Sequence, residues 1–298
     1  GPDRVIPHEL PGGTCAMLDI DLPQSPKRGL ARTRKDDDLE ALADRLMLDV
    51  QADPANLIAA YRADKRLELS FRKMPFPPAE KPVLRDGCVC LITGGFGGIG
   101  LTLAEDMVVN RNAKIALLTR SPLPDEANWE AYLRDNGPFD TISRRIAAVQ
   151  RLQALGADVM VATADVCNLE DMRVAVDQIK DRFGRLDVVI HAAGVIDDAP
   201  LLTKDQFAVE AVFAPKVHGT QVLNTLFPDG ALDYLVVFSS SSTVTAPAGQ
   251  IDYVAANEFL NAFAKSHQGG KTQVISINWG IWSEVGMAAE TLAERLGD

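Results

Sequence analysis

The stretch "QIDYVAANEF" places Tyr253 four residues before Asn257. Positions i and i+4 share a helix face, so the phenol and the amide can serve one site. A free tyrosine has a pKa of about 10. Beside an ammonium it becomes a stronger acid, fit to protonate an oxygen on which negative charge develops. Chemistry of that kind on a carbonyl also needs a hydride donor and a polar group that holds the oxygen. Ser240, 13 residues before Tyr253 in "FSSSSTVTAPAGQIDYVAAN", is the candidate for holding the oxygen. The neighbouring serines read as strand-end and loop residues. Lys216, in "VFAPKVHGTQVLNTLF" and 24 residues before Ser240, is the candidate ammonium.

A donor site is suggested by "CLITGGFGGIGLTLAEDM", which joins an apolar strand to a helix. Glycines there permit a tight turn and a close approach of backbone to a pyrophosphate, and the helix N-terminus offers free N–H groups. The strand-before, helix-after context is the one such a motif requires. The alternative is a glycine turn with a structural role alone. At the end of the next strand, "LLTRSPLP", an NAD site usually carries an acidic residue. Arg120 stands there instead, between Thr119 and Ser121. A guanidinium favours a 2′-phosphate, hence NADPH, unless Arg120 is a solvated loop residue. His191, at a strand end, reads as a packed or hydrogen-bonded residue rather than a catalytic one.

Positioning these groups requires an alternation of strands and helices. The expected strands are Cys88–Thr93, Lys114–Thr119, Asp158–Ala162, Leu186–His191, Tyr234–Ser239 and Gln273–Asn278. Most are near-continuous apolar runs, as strands buried on both faces should be. Helical segments lie between them, which predicts a parallel, doubly wound α/β sheet. The helix "SRRIAAVQRLQALGAD" should end at Gly156. Residues 1 to about 85 follow another pattern. "TCAMLDIDLP" reads as a strand, and "LIAAYRADKRLELSFRKM" as two strands around a turn at Ala63-Asp64. "RTRKDDDLEALADRLMLDV" reads as a helix capped by its aspartates, with Leu39, Leu42, Leu46 and Val50 on its apolar face. "MPFPPAEKPVLRDG" reads as a linker.

At 47% apolar and 24% charged residues, the 298-residue chain has the composition of a globular protein of one large or two modest domains. A formal charge of −11 disfavours nucleic acid or an anionic membrane as the main partner. No apolar run approaches the roughly 18 residues of a membrane helix. Cys88 and Cys90, two apart on a strand, should point together into a core. Neither they nor Cys15 and Cys167 have the spacing of a zinc site, so no metal and a reduced, cytoplasmic setting are expected.

The glycine loop has the form T-G-x-x-x-G-x-G, with Thr93, Gly94, Gly98 and Gly100 at its fixed places. It resembles that of short-chain dehydrogenases/reductases, and the Ser240–Tyr253 spacing matches that superfamily. The resemblance implies that Gly95, Phe96, Gly97 and Ile99 also face the cofactor. It assigns Asp165-Val166 to the adenine and Ala192-Ala193-Gly194 to the cofactor wall. In the commonest members a lysine follows the tyrosine by four, where this chain has Asn257. "APKVHGTQVL", the segment around Tyr253 and "SINWGIWSEVGMA" resemble the ketoreductase domain of type I polyketide synthases. There the lysine comes from the earlier helix, here Lys216, and the asparagine follows the tyrosine.

That resemblance implies a Rossmann-like catalytic subdomain over 86–298 that reduces a β-ketoacyl thioester on an acyl carrier protein with NADPH. Part of a degenerate Rossmann-like structural subdomain, with a linker, would occupy 1–85. Other synthase domains in cis would be partners. Ser240 and Tyr253 would hold the ketone oxygen, Tyr253 would donate the proton, Lys216 would lower the Tyr253 pKa and Asn257 would complete the relay. Asn278-Trp279-Gly280 would line the nicotinamide, with a lid from Ser283. "VIDDA" resembles the Leu-Asp-Asp motif of B-type members, with Ile196 for leucine before Asp197 and Asp198. Thr245 stands where A-type members carry tryptophan. A B-type, (3R)-hydroxy outcome is therefore expected, with Gln250 and Met287 also on the substrate side. Asp197 and Asp198 would otherwise be a loop cap. Family members continue beyond "AERLGD" with a further helix and strand, which implies a fragment. The alternatives are a silent scaffold domain and a free-standing short-chain alcohol dehydrogenase.

Overall fold

The computed structural model describes residues 2–22, 32–52, 57–63, 65–77, 82–282 and 285–286, with backbone only for 32–38. Met287 and Ser283 lie outside them. The chain forms two compact units, one of Gly1–Val5 with Ala79–Asp298 and the other of Ile6–Pro78.

In the smaller unit, β1 (Met17–Ile20) pairs parallel with β2 (Ile58–Arg62), which pairs antiparallel with β3 (Lys65–Glu68). A parallel pair needs a long crossover, and helix α1 (Arg32–Gln51) lies within it. Ala63 turns the β2–β3 hairpin with φ +53°. The helix departs from expectation in two ways. It begins at Arg32, so Asp36 to Asp38 fall in its second turn rather than at its cap. Leu42 is buried, but Leu39 and Val50 are exposed, because three strands leave only part of the helix face to cover.

The larger unit is built on six parallel strands: β4 (Val89–Thr93), β5 (Lys114–Thr119), β6 (Val159–Thr163), β7 (Val188–His191), β8 (Tyr234–Ser240) and β9 (Gln273–Trp279). Their spatial order is β6-β5-β4-β7-β8-β9. The direction of winding reverses between β4 and β7, and the crevice at that switch point is where such sheets bind ligands. Alternation along β4 builds a core on each face. Val89 and Leu91 join Met172, Ile179, Leu223 and Leu260 on one side. Cys88, Cys90 and Ile92 join Ile115, Ile146 and Leu152 on the other, so both cysteines do point into one core.

The helices that cover the sheet are α2 (Gly98–Arg111), α3 (Trp129–Asn136), α4 (Thr141–Ala154), α5 (Leu169–Phe183), α6 (Gln206–Phe213), α7 (Gly219–Leu226) and α8 (Ile251–Ser266). Side-chain caps start three of them: Asp140 accepts from the Ser143 N–H at 2.9 Å, Asn168 from the Glu170 N–H at 3.0 Å and Asp205 from the Ala208 N–H at 2.9 Å. Gly156, at φ +90°, follows the end of α4 as expected. The helix expected around Lys216 is not uniform. A π-turn over Ala214–His218 joins α6 to α7. Pro215 has no N–H to give to the regular ladder, and such bulges often mark functional sites. Among the described residues no helix is long and apolar enough to cross a membrane.

Candidate active site

The carboxyl ends of β4, β7 and β8 open onto a cleft of about 1110 Å³. Its floor is the loop between β4 and α2. Gly94 sits there at φ +64°, and a Cβ on it would come within 2.8 Å of the Ala193 backbone. Only glycine permits that approach. Gly97 precedes α2, whose first N–H groups have no intrahelical partner, and Gly97, Gly98 and Ile99 line the cleft with Phe96. Gly95 and Thr93 do not reach the cleft. Gly95 packs on Ile92 and Leu117, while Thr93 is fully buried and its hydroxyl bonds His191 Nδ1 at 2.7 Å. Burial and the neighbouring Lys216 cation push the His191 pKa down to about 3, so this imidazole is a neutral packing group.

Opposite the glycines, Ala192 and Ala193 hang from Thr93: the Ala192 N–H donates to its carbonyl at 3.0 Å. Ala192, Ala193 and Gly194 line the cleft, as do Asp165 and Val166 at the end of β6. At the end of β5, Thr119 and Arg120 line it, while Ser121 folds back to share hydrogen bonds with the Thr119 hydroxyl. Trp279 and Gly280 line the far wall; Asn278 is exposed and does not.

Two further arginines join Arg120 in the lining. Arg144 and Arg145, from the start of α4, also line the cleft. Arg145 donates to the Thr119 hydroxyl at 2.9 Å and its guanidinium lies 5.6 Å above the Phe96 ring. Cations in the first turns of a helix oppose its dipole. Two adjacent arginines there were the available signal of a site that favours an anion.

The candidate catalytic residues meet at the β8 end. Lys216, Ser240 and Tyr253 all line the cleft. The π-turn carries Lys216 under the sheet end, where its side chain is 3% exposed and Nζ donates to the Phe238 carbonyl at 2.8 Å. Nζ also lies 5.5 Å from the centre of the Tyr253 ring. Burial holds the Lys216 pKa down at about 8. Tyr253 is 7% exposed, and burial pushes its pKa up, with the Ser240 side chain opposing. The expected lowering by Lys216 is thus not what governs the resting phenol. Asn257 is completely buried behind Tyr253 and does not reach the cleft. Its Nδ2 donates to the Tyr253 carbonyl at 2.7 Å, while its Oδ1 has no hydrogen-bond partner among the described residues.

On the substrate side, Ile196 and Gln250 line the cleft and Asp197 and Asp198 do not. Asp198 accepts from Gln250 Nε2 at 3.0 Å, a link across 52 residues rather than a local cap. The Asp197 carbonyl accepts from Lys204.

The residues fit a dinucleotide cofactor. A glycine loop packed on Ala193 too closely for a Cβ at Gly94, a helix N-terminus and three guanidiniums suit a pyrophosphate and a further anionic group. Strand order and cleft together place the chain in the short-chain dehydrogenase/reductase class, whose ketoreductase members bind a nicotinamide cofactor. The model of the KR domain family matches residues 88–284, and the chain belongs to that family, the ketoreductase domains of polyketide synthases. It is an oxidoreductase domain acting on a keto group.

Relatives agree. A 6-methylsalicylic acid synthase of Aspergillus terreus is 30% identical over 297 residues, which are 98% of this chain and 15% of that protein. A phenolphthiocerol/phthiocerol polyketide synthase of Mycobacterium tuberculosis is 32% identical over 266 residues, 88% of this chain and 14% of that protein. The chain thus spans about 15% of the length of these curated relatives. A ketoreductase domain from the bacillaene assembly line shares the fold with a TM-score of 0.77 at 27% identity, over 99% of this chain and 66% of that one.

Proposed function

We propose that the domain uses NADPH to reduce a β-ketoacyl thioester, carried on an acyl carrier protein, to a β-hydroxyacyl thioester. The observation that carries this reading is the convergence of Lys216, Ser240 and Tyr253 on the cleft that the glycine loop also lines. The nicotinamide, when bound, supplies hydride to the keto carbon. The chain's own residues do the rest. Ser240 and Tyr253 hold the ketone oxygen, and the Tyr253 hydroxyl gives it a proton. The Lys216 ammonium stabilises the phenolate that this leaves. Asn257, whose Oδ1 has no donor among the described residues, serves the return of the proton to Tyr253. Arg120 with Arg144 and Arg145 supports a 2′-phosphate, and hence NADPH over NADH. Gly94, Gly97 and Gly98 hold the pyrophosphate, Asp165 and Val166 the adenine, and Trp279 and Gly280 the nicotinamide side.

The substrate arrives from a carrier protein, and other synthase domains lie in cis, as in the polyketide synthases this chain resembles. The product is the (3R)-alcohol. That part rests on Ile196-Asp197-Asp198 and on Thr245, because the fold is shared with a structure described as an A-type ketoreductase, at TM-score 0.77 and 27% identity. The test is NADPH oxidation with a β-ketoacyl N-acetylcysteamine thioester, for wild type and Tyr253→Phe. Turnover by the wild type and its loss in the variant are expected. Equal rates would remove Tyr253 as the acid, and no turnover by a folded domain would favour a silent scaffold.

A further inference from the structure

Between β7 and α6 the chain runs 14 residues, Ala192 to Asp205, without helix or strand. Loops of that length in compact domains are uncommon and need anchoring. This one forms a wall of the cleft: Val195 and Ile196 line it, and Ile196 packs with Val212 and Ala256 against Tyr253. Its position therefore decides what space is left beside the phenol.

The anchor is a buried ion pair. Lys204 Nζ lies 2.6 Å from Asp252 Oδ2, with the two side chains 2% and 1% exposed. The same Nζ donates to the Asp197 carbonyl, so one ammonium ties both ends of the loop's second half. Asp252 is the residue before Tyr253, and its other oxygen accepts the Tyr253 backbone N–H at 2.8 Å. Two weaker ties run alongside: Asp198 to Gln250, and the Ala199 N–H to the Gly249 carbonyl at 3.1 Å. Neither Lys204 nor Asp252 lines the cleft.

Burying two charges costs more in desolvation than an apolar pair of similar size would. Stability alone is therefore a poor reason for this pair, whereas fixing one geometry is an attested use of such groups. We propose that Lys204 and Asp252 are positioning residues. They clamp the Val195–Lys204 loop to the start of the Tyr253 helix, and so fix the direction from which the substrate approaches the phenol. The proposal rests on the ketoreductase reading for its effect on substrate, and on geometry alone for the clamp.

The test uses Lys204→Met, Asp252→Asn and the apolar double variant Lys204→Met/Asp252→Leu. Hydrogen–deuterium exchange over 195–204 reads the clamp without any turnover, and should rise at least tenfold in each single variant. With the N-acetylcysteamine thioester, KM should rise about tenfold and the ratio of product enantiomers should fall, while the NADPH dissociation constant stays within twofold. The double variant should unfold at or above the wild-type temperature yet keep the raised KM and the eroded enantiomer ratio. Unchanged exchange in the single variants, or wild-type KM and enantiomer ratio in the double variant, would overturn the proposal. Should the single variants not fold, the double variant decides it. A wild type without turnover would instead sink the functional reading, and exchange would still decide whether the clamp exists.

Discussion

Lys216 should pull stability and activity in opposite directions as pH rises. Its pKa stands at about 8 in the folded chain against 10.5 for a free lysine, because burial disfavours the ammonium. Between those values the unfolded chain holds the proton and the folded chain has released it. The unfolded state then binds more protons, so raising the pH favours the folded state. The full displacement is worth roughly 3 kcal/mol, of which roughly 2–3 kcal/mol should be recovered between pH 7 and pH 10. Lys216 is almost wholly buried, so solvent screening removes little of this. Urea unfolding of wild type and Lys216→Met across this range isolates the effect, since titrating groups remote from Lys216 cancel in the difference. The stability of wild type relative to the variant should climb by about that amount. Over the same range kcat/KM for the keto thioester should fall about tenfold per pH unit above about 8, as the ammonium is lost. A flat or falling stability difference would show that Lys216 is not a buried, unpaired ammonium. An activity break near 10 would show that its charge is not the one the reaction uses.

Gly94→Ala should abolish nucleotide binding, measured by NADPH fluorescence, since its Cβ would meet the Ala193 backbone at 2.8 Å and φ is +64°. Arg120→Ala and Arg145→Ala should each weaken NADPH about ten- to a hundredfold and leave NADH nearly unchanged, the range of a charge-assisted contact. An unchanged NADPH/NADH ratio in both would refute the 2′-phosphate role. Leu91→Ala, at a fully buried position in the central strand, should cost about 2–5 kcal/mol in urea unfolding without moving the substrate KM.

The larger unit was legible because its strands are buried on both faces. A run such as "KIALLT" has no second reading once helices flank it, and its bounds coincide with β5. The smaller unit was legible in its hairpin but not in its helix. Leu39 and Val50 have the spacing of a core face, yet what they pack against is set by how many strands lie below, which periodicity does not encode. In the loop before α2, Gly94 was legible through the positive φ its turn demands, whereas Gly95, expected at the cofactor, packs on Ile92 and Leu117 because of contacts from other parts of the sheet. Arg145 was not legible, since its orientation comes from Thr119 and Phe96 on other elements. The Lys204–Asp252 pair was equally hidden: 48 residues separate two ordinary surface types, and only the fold buries them together.

The raised pKa of Tyr253 sharpens the proposed role of Lys216. A proton donor must hold its proton until the substrate oxygen needs it, and burial ensures that in the resting site. A lysine that pulled the resting pKa far down would leave much of the phenol ionised and unable to give a proton. Catalysis gains only from interactions that are stronger in the transition state than before it. Lys216 has that character. Its Nζ lies 5.5 Å from the centre of the Tyr253 ring in the resting site, and in the proposed reaction it would meet a developing phenolate as the proton leaves. Being fixed on the Phe238 carbonyl by a π-turn, it needs no rearrangement at that moment. Its position on a different helix from Tyr253 frees position 257 for a neutral amide. A second ammonium there would face Lys216 across the same buried phenol, at a cost that an asparagine avoids. Asn257→Lys should therefore lower stability and activity together, whereas the paired exchange Lys216→Asn/Asn257→Lys should recover part of both. No recovery in the pair would mean that the two positions are not alternative seats for one charge.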